Sequence, residues 1–121
     1  MSGHSPRIAF VDDDARILAS LENLFESAGY AVAAFSSAAA FLDAGLSGID
    51  CLIIDIGMPG MDGFELCEVV KRAQPRLPVF LITGRCEAGD PQRAEAKNSS
   101  GFFRKPFDGP ALLAAVADAL R

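Results

Sequence analysis

The apolar run RIAFV is closed by Asp12 and Asp13, with Asp14 directly behind them, so residues 10 to 14 read FVDDD. A second apolar run, CLII, ends in Asp55, a third, PVFLI, ends in Thr83, and GFFR leads into Lys105. Neighbouring carboxylates repel, which raises their pKa values and costs stability unless a cation or a hydrogen-bond network answers them. Oxygen donors in this number suit a hard divalent cation, and Mg²⁺ takes a few carboxylates and keeps several waters. An aspartate set apart on its own strand, as Asp55 is, can attack a phosphoryl donor and form an acyl phosphate. The metal and Lys105 would neutralise charge on the transferring oxygens, and the Thr83 hydroxyl would donate a hydrogen bond to the product. Nothing in the set resembles a strong general base aimed at water, so the acyl phosphate is expected to hydrolyse slowly.

These residues meet only if the chain brings its strand ends together, and the hydrophobic pattern predicts that it does. RIAFV (7–11) is a short continuous apolar run, as in a strand buried on both faces. Residues 15–29 place Ile17, Leu21, Leu24, Phe25 and Ala28 on one helical stripe, with Gly29 as a stop. YAVAAFS (30–36) reads as a second strand, and Ser37 as the cap of a short helix that carries Phe41 and Leu42 and ends near Gly45. CLIIDI (51–56) is the most strand-like run of the chain. The turn-rich GMPGMDG, an amphipathic helix over 64–74 closed by Pro75, and a buried strand over 78–83 follow. GFFRKPF (101–107) carries a short strand, and 109–121 a final helix with Leu112, Leu113, Val116 and Leu120 inward.

Strands that alternate with helices of this size pair in parallel through right-handed crossovers. The expected fold is α/β: a doubly wound five-stranded parallel sheet, (βα)5, in the flavodoxin-like strand order 2-1-3-4-5. In such sheets ligands bind beyond the carboxyl ends of the strands, which is the rim where Asp12, Asp13, Asp55, Thr83 and Lys105 fall.

Bulk properties narrow the function. The 121 residues fit one compact domain, 1–121, and half of them are hydrophobic with 22% charged, an ordinary globular composition. A formal charge of -5 argues against direct nucleic-acid binding, which needs a basic face. Cys51, Cys67 and Cys86 have no metal-ligand spacing and read as free thiols in a reducing compartment. MSGHSPR lacks the apolar core of an export signal, and no apolar run approaches the ~20 residues of a membrane span. A cytoplasmic protein is expected, and His4 in the lead-in is given no role.

VDD (11–13), IIDIGMPGMDG (53–63), FLITG (80–84) and FFRKPF (102–107) resemble, in order and spacing, the four signature blocks of response-regulator receiver domains of two-component signalling. The resemblance covers essentially all of the chain. FSSAAAFLDA (35–44) is further similar to receivers of FixJ-like regulators, which carry helix-turn-helix output domains. The resemblance implies that Asp55 is the phosphoacceptor, taking its phosphoryl group from a sensor histidine kinase or a phosphotransfer protein. Asp13 would bind Mg²⁺ directly, Asp12 largely through water, and the backbone carbonyl of Gly57 would be a further ligand. Thr83 and Lys105 would hold the phosphate oxygens, and Lys105–Pro106 would be a cis peptide. Phe102 matches the aromatic that turns inward when Thr83 moves toward the phosphate. Such a domain catalyses its own phosphotransfer and slow dephosphorylation, and Gly57 and Arg85 would tune the rate of the latter. It switches the face made by the last strand and its two flanking helices, with a phosphorylation-dependent homodimer as one readout. The chain ends at Arg121 directly after the last helix, which fits a standalone receiver or a piece that precedes a DNA-binding domain.

Segment 84–100 departs from the family pattern. Its inward residues are alanines, and Lys97-Asn98-Ser99-Ser100 stands where a small residue and glycine are usual, leaving Asn98 to adopt the left-handed cap. A short or mobile helix is expected there. Three rival functions are weaker. A phosphorylation-independent pseudo-receiver would not need the intact set of Asp13, Asp55, Thr83 and Lys105. A haloacid-dehalogenase-type hydrolase needs a second aspartate two positions after the nucleophile, where this chain has Gly57. A flavodoxin-like cofactor carrier needs a hydroxyl-rich phosphate loop after the first strand, where FVDDD would repel the phosphate.

Overall fold

The computed structural model describes residues 5–84, 89–96, 99–105 and 107–121. His4, Arg85, Cys86, Lys97, Asn98 and Pro106, with the cis peptide expected before it, lie outside the described residues. Five strands and five helices alternate: β1 (Arg7–Val11), α1 (Ala15–Ser27), β2 (Ala31–Phe35), α2 (Ala38–Ala44), β3 (Cys51–Asp55), α3 (Gly63–Ala73), β4 (Val79–Thr83), α4 (Asp90–Ala96), β5 (Gly101–Arg104) and α5 (Gly109–Ala119). All neighbouring strands run parallel, in the order β2-β1-β3-β4-β5, as the pattern of alternating elements demands.

Side chains on a strand alternate between faces, so one continuous apolar run supplies two cores. Ile8 and Phe10 of β1, Cys51 and Ile53 of β3 and Phe80 and Ile82 of β4 point to one face, where they meet Leu21 and Phe25 of α1 and Leu112 and Val116 of α5. Ala9, Val11, Leu52, Ile54, Val79 and Leu81 point to the other, where they meet Phe41 of α2, Phe64, Leu66 and Val70 of α3 and Ala94 of α4. Each large side chain removed from water in this way stabilises the fold by roughly 1.5–3 kcal/mol. Leu113 and Leu120 of α5 are only partly buried, at the margin of the first core.

Local chemistry sets the ends of the helices. Asp14 caps α1 by accepting from the Arg16 N–H, and Ser37 caps α2 by accepting from Ala40 N–H at 3.1 Å. α3 begins with a capping box: Asp62 accepts from Glu65 N–H at 2.9 Å, and the Glu65 carboxylate accepts from Asp62 N–H at 3.1 Å. Asp108 caps α5, whose second residue is proline. α4 is a helix of seven residues, short as its composition predicts, and among its described side chains Ala94 is the one buried in the apolar core.

Candidate functional site

The site stands on the carboxyl ends of β1, β3, β4 and the residue that follows β5. Asp12 is the first residue past β1, held by its own N–H to the carbonyl of Phe35, the last residue of β2, at 3.1 Å. Its Oδ1 accepts from Asp14 N–H at 2.9 Å, so the FVDDD turn closes on itself and aims Oδ2 at the rim. Asp55 is the last residue of β3; the next residue, Ile56, donates its N–H to the Ile82 carbonyl at 2.9 Å and continues the ladder past it. Gly57 N–H donates to Asp55 Oδ1 at 3.1 Å, which fixes the carboxylate. Lys105 N–H donates to the Thr83 carbonyl at 2.7 Å, so the lysine is tethered beside the end of β4.

Asp12, Asp55 and Thr83 expose 0%, 4% and 2% of their surface, whereas Asp13 is exposed. Burying two carboxylates side by side is expensive unless charge is returned to them. Lys105 returns some: its Nζ lies 2.8 Å from Asp12 Oδ2 and 3.7 Å from Asp55 Oδ2. Among the described residues, Oδ2 of Asp12 has no partner beyond this lysine charge pair, so the oxygen keeps unused acceptor capacity. Burial pushes the Asp55 carboxyl above its ordinary pKa, and the charges of Asp12 and Asp13 push the same way. The Gly57 N–H and the Lys105 charge oppose them. The structure therefore holds Asp55 in a state that a further cation would relieve.

One oxygen each from Asp12, Asp13 and Asp55 lie within 4.8 Å of one another, and all three donors are carboxylates. An all-oxygen set with an orphaned buried lone pair fits a hard divalent cation and suits neither a soft metal nor a bare anion. Beside it opens a cleft of about 470 Å³, lined by Asp55, Thr83 and Lys105 from the strand ends and by Phe64 and Arg93 from α3 and α4. The arrangement can seat a cation against one oxygen of Asp55 while leaving the cleft side for a reacting group.

A family model described as response regulator receiver domain matches residues 8–117. The chain belongs to this family. The receiver is 39% identical to the transcriptional regulatory protein FixJ of Bradyrhizobium diazoefficiens, a match covering 94% of this chain and 56% of that protein. It is 35% identical to the response regulator protein TodT of Pseudomonas putida, over 100% of this chain and 54% of that protein. The chain thus spans about half the length of the curated relatives it matches. Among solved structures, a beryllofluoride-activated DrrB receiver domain superposes with a TM-score of 0.90 at 26% identity, covering 97% of this chain and 98% of that one. The response regulator StyR superposes with a TM-score of 0.86 at 35% identity, covering 97% and 60%.

The structure brings Asp12, Asp13, Asp55, Gly57, Thr83 and Lys105 of the receiver to one rim. Phe102 of β5 stands opposite Leu81, and Thr83 opposite Arg104, so Thr83 and Phe102 share a face of the sheet two positions apart. Phe102 is half-buried against the core beneath α3 and α4. Two features of the rim are not legible as chemistry in the sequence. Gly63 lets the start of α3 press onto the backbone of Asp55 and Ile56, and Arg93 of α4 reaches the cleft to lie over Phe64. The MDGFE stretch carries a signal for the first, since glycine at the opening of a helix is worse than alanine unless space forbids a Cβ. No motif marks Arg93.

Proposed function

We propose that the whole chain, 1–121, works as a single phosphoacceptor domain in which Asp55 is the nucleophile and Mg²⁺ is the resident cation. Asp12, Asp13 and Asp55, with the carbonyl of Gly57, would hold the metal, whose chemistry when bound is to neutralise the carboxylates and polarise phosphoryl oxygens. The single observation that carries this reading is the buried Asp55 oxygen set within 4.8 Å of two other carboxylates, with a lysine at 3.7 Å.

An Asp55 oxygen attacks phosphorus and forms an O–P bond while the P–N bond of a donor phosphohistidine breaks. The imidazole leaves with the electron pair, and a sensor histidine kinase or a phosphotransfer protein is the donor. Gly57 N–H holds the other carboxylate oxygen during attack. Lys105, already within charge-pairing range of Asp55, takes up one phosphoryl oxygen, and the Thr83 hydroxyl donates to another. In doing so Thr83 draws away from the face it shares with Phe102, which gives the aromatic room to turn inward. The phosphate adds hydrogen bonds in only one of two states of α4, β5 and α5, so it shifts their populations. About 1–3 kcal/mol of differential interaction makes one state dominant from near parity. That face would signal to an output module such as a DNA-binding domain, directly or through a homodimer. The domain would act in the cytoplasm, in keeping with Cys51 and Cys67, which are buried and form no disulfide.

Incubation with Mg²⁺ and acetyl phosphate, read by intact mass, tests the reading. One phosphoryl adduct is expected on the wild type and none on Asp55→Asn or in EDTA. No adduct on the wild type, together with no binding of beryllofluoride, would overturn it in favour of a docking module that works without phosphorylation.

A further inference from the structure

The cleft over Asp55 is reached by a second cation, and it comes from a helix rather than a strand end. Arg93 of α4 lines the same cleft as Asp55, Thr83 and Lys105. Its guanidinium carbon lies 4.0 Å from the centre of the Phe64 ring. Phe64 is the second residue of α3 and is buried, so it is a fixed platform, while Arg93 itself is exposed. The backbone of Arg93 is tied down as well, its N–H donating to the Gly89 carbonyl at 2.9 Å.

Stacking a guanidinium on an aromatic face uses the π surface and leaves the N–H groups, which all point outward in the plane, available to an anion. It also restrains a side chain that is otherwise rich in rotamers, so less freedom is lost when the fork engages a ligand. Lys105 is poorly placed to serve a phosphoryl group alone, because its Nζ is already 2.8 Å from Asp12. A phosphoryl group brings a charge of about −1.5 to −2 into a rim that three carboxylates already occupy. Two further carboxylates line the cleft, Asp62, engaged as the α3 cap, and Asp90, buried, and they add to the negative charge that a second cation would answer.

We infer that Arg93, braced on Phe64, is a second phosphoryl-binding residue of the site, which engages the dianionic phosphoryl group of the incoming donor and of the product. The inference rests on Asp55 being the phosphoacceptor. A planar fork matches a phosphoryl group with two parallel hydrogen bonds, which the ammonium of a lysine cannot make. Because Arg93 meets the anion as it enters, it acts on capture of the donor more than on the attack itself.

Initial phosphorylation rates across acetyl phosphate concentrations, with Mg²⁺ present, and a beryllofluoride binding titration test this on the intact chain. Arg93→Gln is expected to raise KM and weaken beryllofluoride binding about five- to tenfold, the net worth of an ordinary hydrogen bond at a wet site. kcat and the thermal midpoint stay near wild type, and the salt dependence of KM flattens. Arg93→Lys recovers part of the loss, and Phe64→Leu, which removes the platform and keeps the arginine, shows a smaller shift in the same direction. Values for Arg93→Gln within twofold of wild type in both assays would overturn the inference, as would a fall in kcat at unchanged KM. A wild type that accepts neither acetyl phosphate nor beryllofluoride would instead overturn the phosphoacceptor reading itself.

Discussion

Gly63 gives the sharpest test of how the rim is held. It opens α3 and is buried, and its N–H points to the Ile56 carbonyl at 3.4 Å. A Cβ built on it would stand 2.5 Å from Ile56 Cα, 2.7 Å from the Asp55 carbonyl oxygen and 2.9 Å from the Asp55 carbonyl carbon. All three atoms are backbone, so no side chain can swing aside. Restoring an ordinary contact of ~3.5 Å requires the helix start and the end of β3 to part by about 1 Å. Overpacking of this kind costs about 1–3 kcal/mol. Against it, replacing a glycine whose φ is not positive stiffens the unfolded chain and returns about 0.4–1 kcal/mol. Gly63→Ala is therefore expected to lose about 1–2 kcal/mol net, read as a lower urea midpoint at unchanged slope. The displaced backbone is that of Asp55 itself, and a shift near 1 Å at a reacting group can cost about a hundredfold in rate. Phosphorylation by acetyl phosphate should fall far more than stability does. A Gly63→Ala protein as stable as wild type and phosphorylated at the same rate would refute the close-approach reasoning.

Two further expectations concern the charges of the rim. The folded-state pKa of Asp55 is raised above its ordinary 3.8, so its ionisation opposes folding. The stabilising contribution of the protonated form is complete below the unfolded value and is lost as pH rises through the folded value. In EDTA, Asp55→Asn should thus gain stability over wild type as pH rises from about 3 to 8, by urea titration at each pH, and a flat or shrinking gap would count against a carboxylate destabilised by burial. Lys105→Met takes away the cation 2.8 Å from the fully buried Asp12. Breaking a buried pair costs about 3–5 kcal/mol. The lysine side chain is 16% exposed, so water reaches the pair and the expected loss is nearer ~2 kcal/mol. Mg²⁺ should recover part of it; thermal midpoints equal to wild type in EDTA would show that Asp12 is answered in some other way.

Much of this receiver is legible in its residue pattern, because the pattern and the fold answer the same constraint. A strand buried on both faces must be apolar throughout, so RIAFV, CLII and VFLI announce themselves, and a charge directly after such a run marks the rim. Ser37 announces a cap, since its side-chain oxygen reaches an N–H three residues on and needs no tertiary partner. The shortness of α4 shows in a composition of small and polar residues that could bury little.

Contact between segments far apart in sequence lies beyond such local rules. That Asp12, 43 positions before Asp55, and Lys105, 50 after it, come together at one rim depends on the strand order, which sets Lys105 2.8 Å from Asp12 and 3.7 Å from Asp55. Arg93 reads as one more solvated helix charge until α4 is set against α3 and the guanidinium comes to lie on Phe64. Gly63 reads as a turn former until the Asp55 backbone is found where its Cβ would be. The amino-acid order by itself determines the elements, their two-faced burial and the identity of the reactive groups, through periodicity and propensity along the chain. Only the tertiary structure decides which of those groups share a charge, a platform or a wall, because Coulombic and steric terms depend on distances through space that no run of neighbouring residues contains.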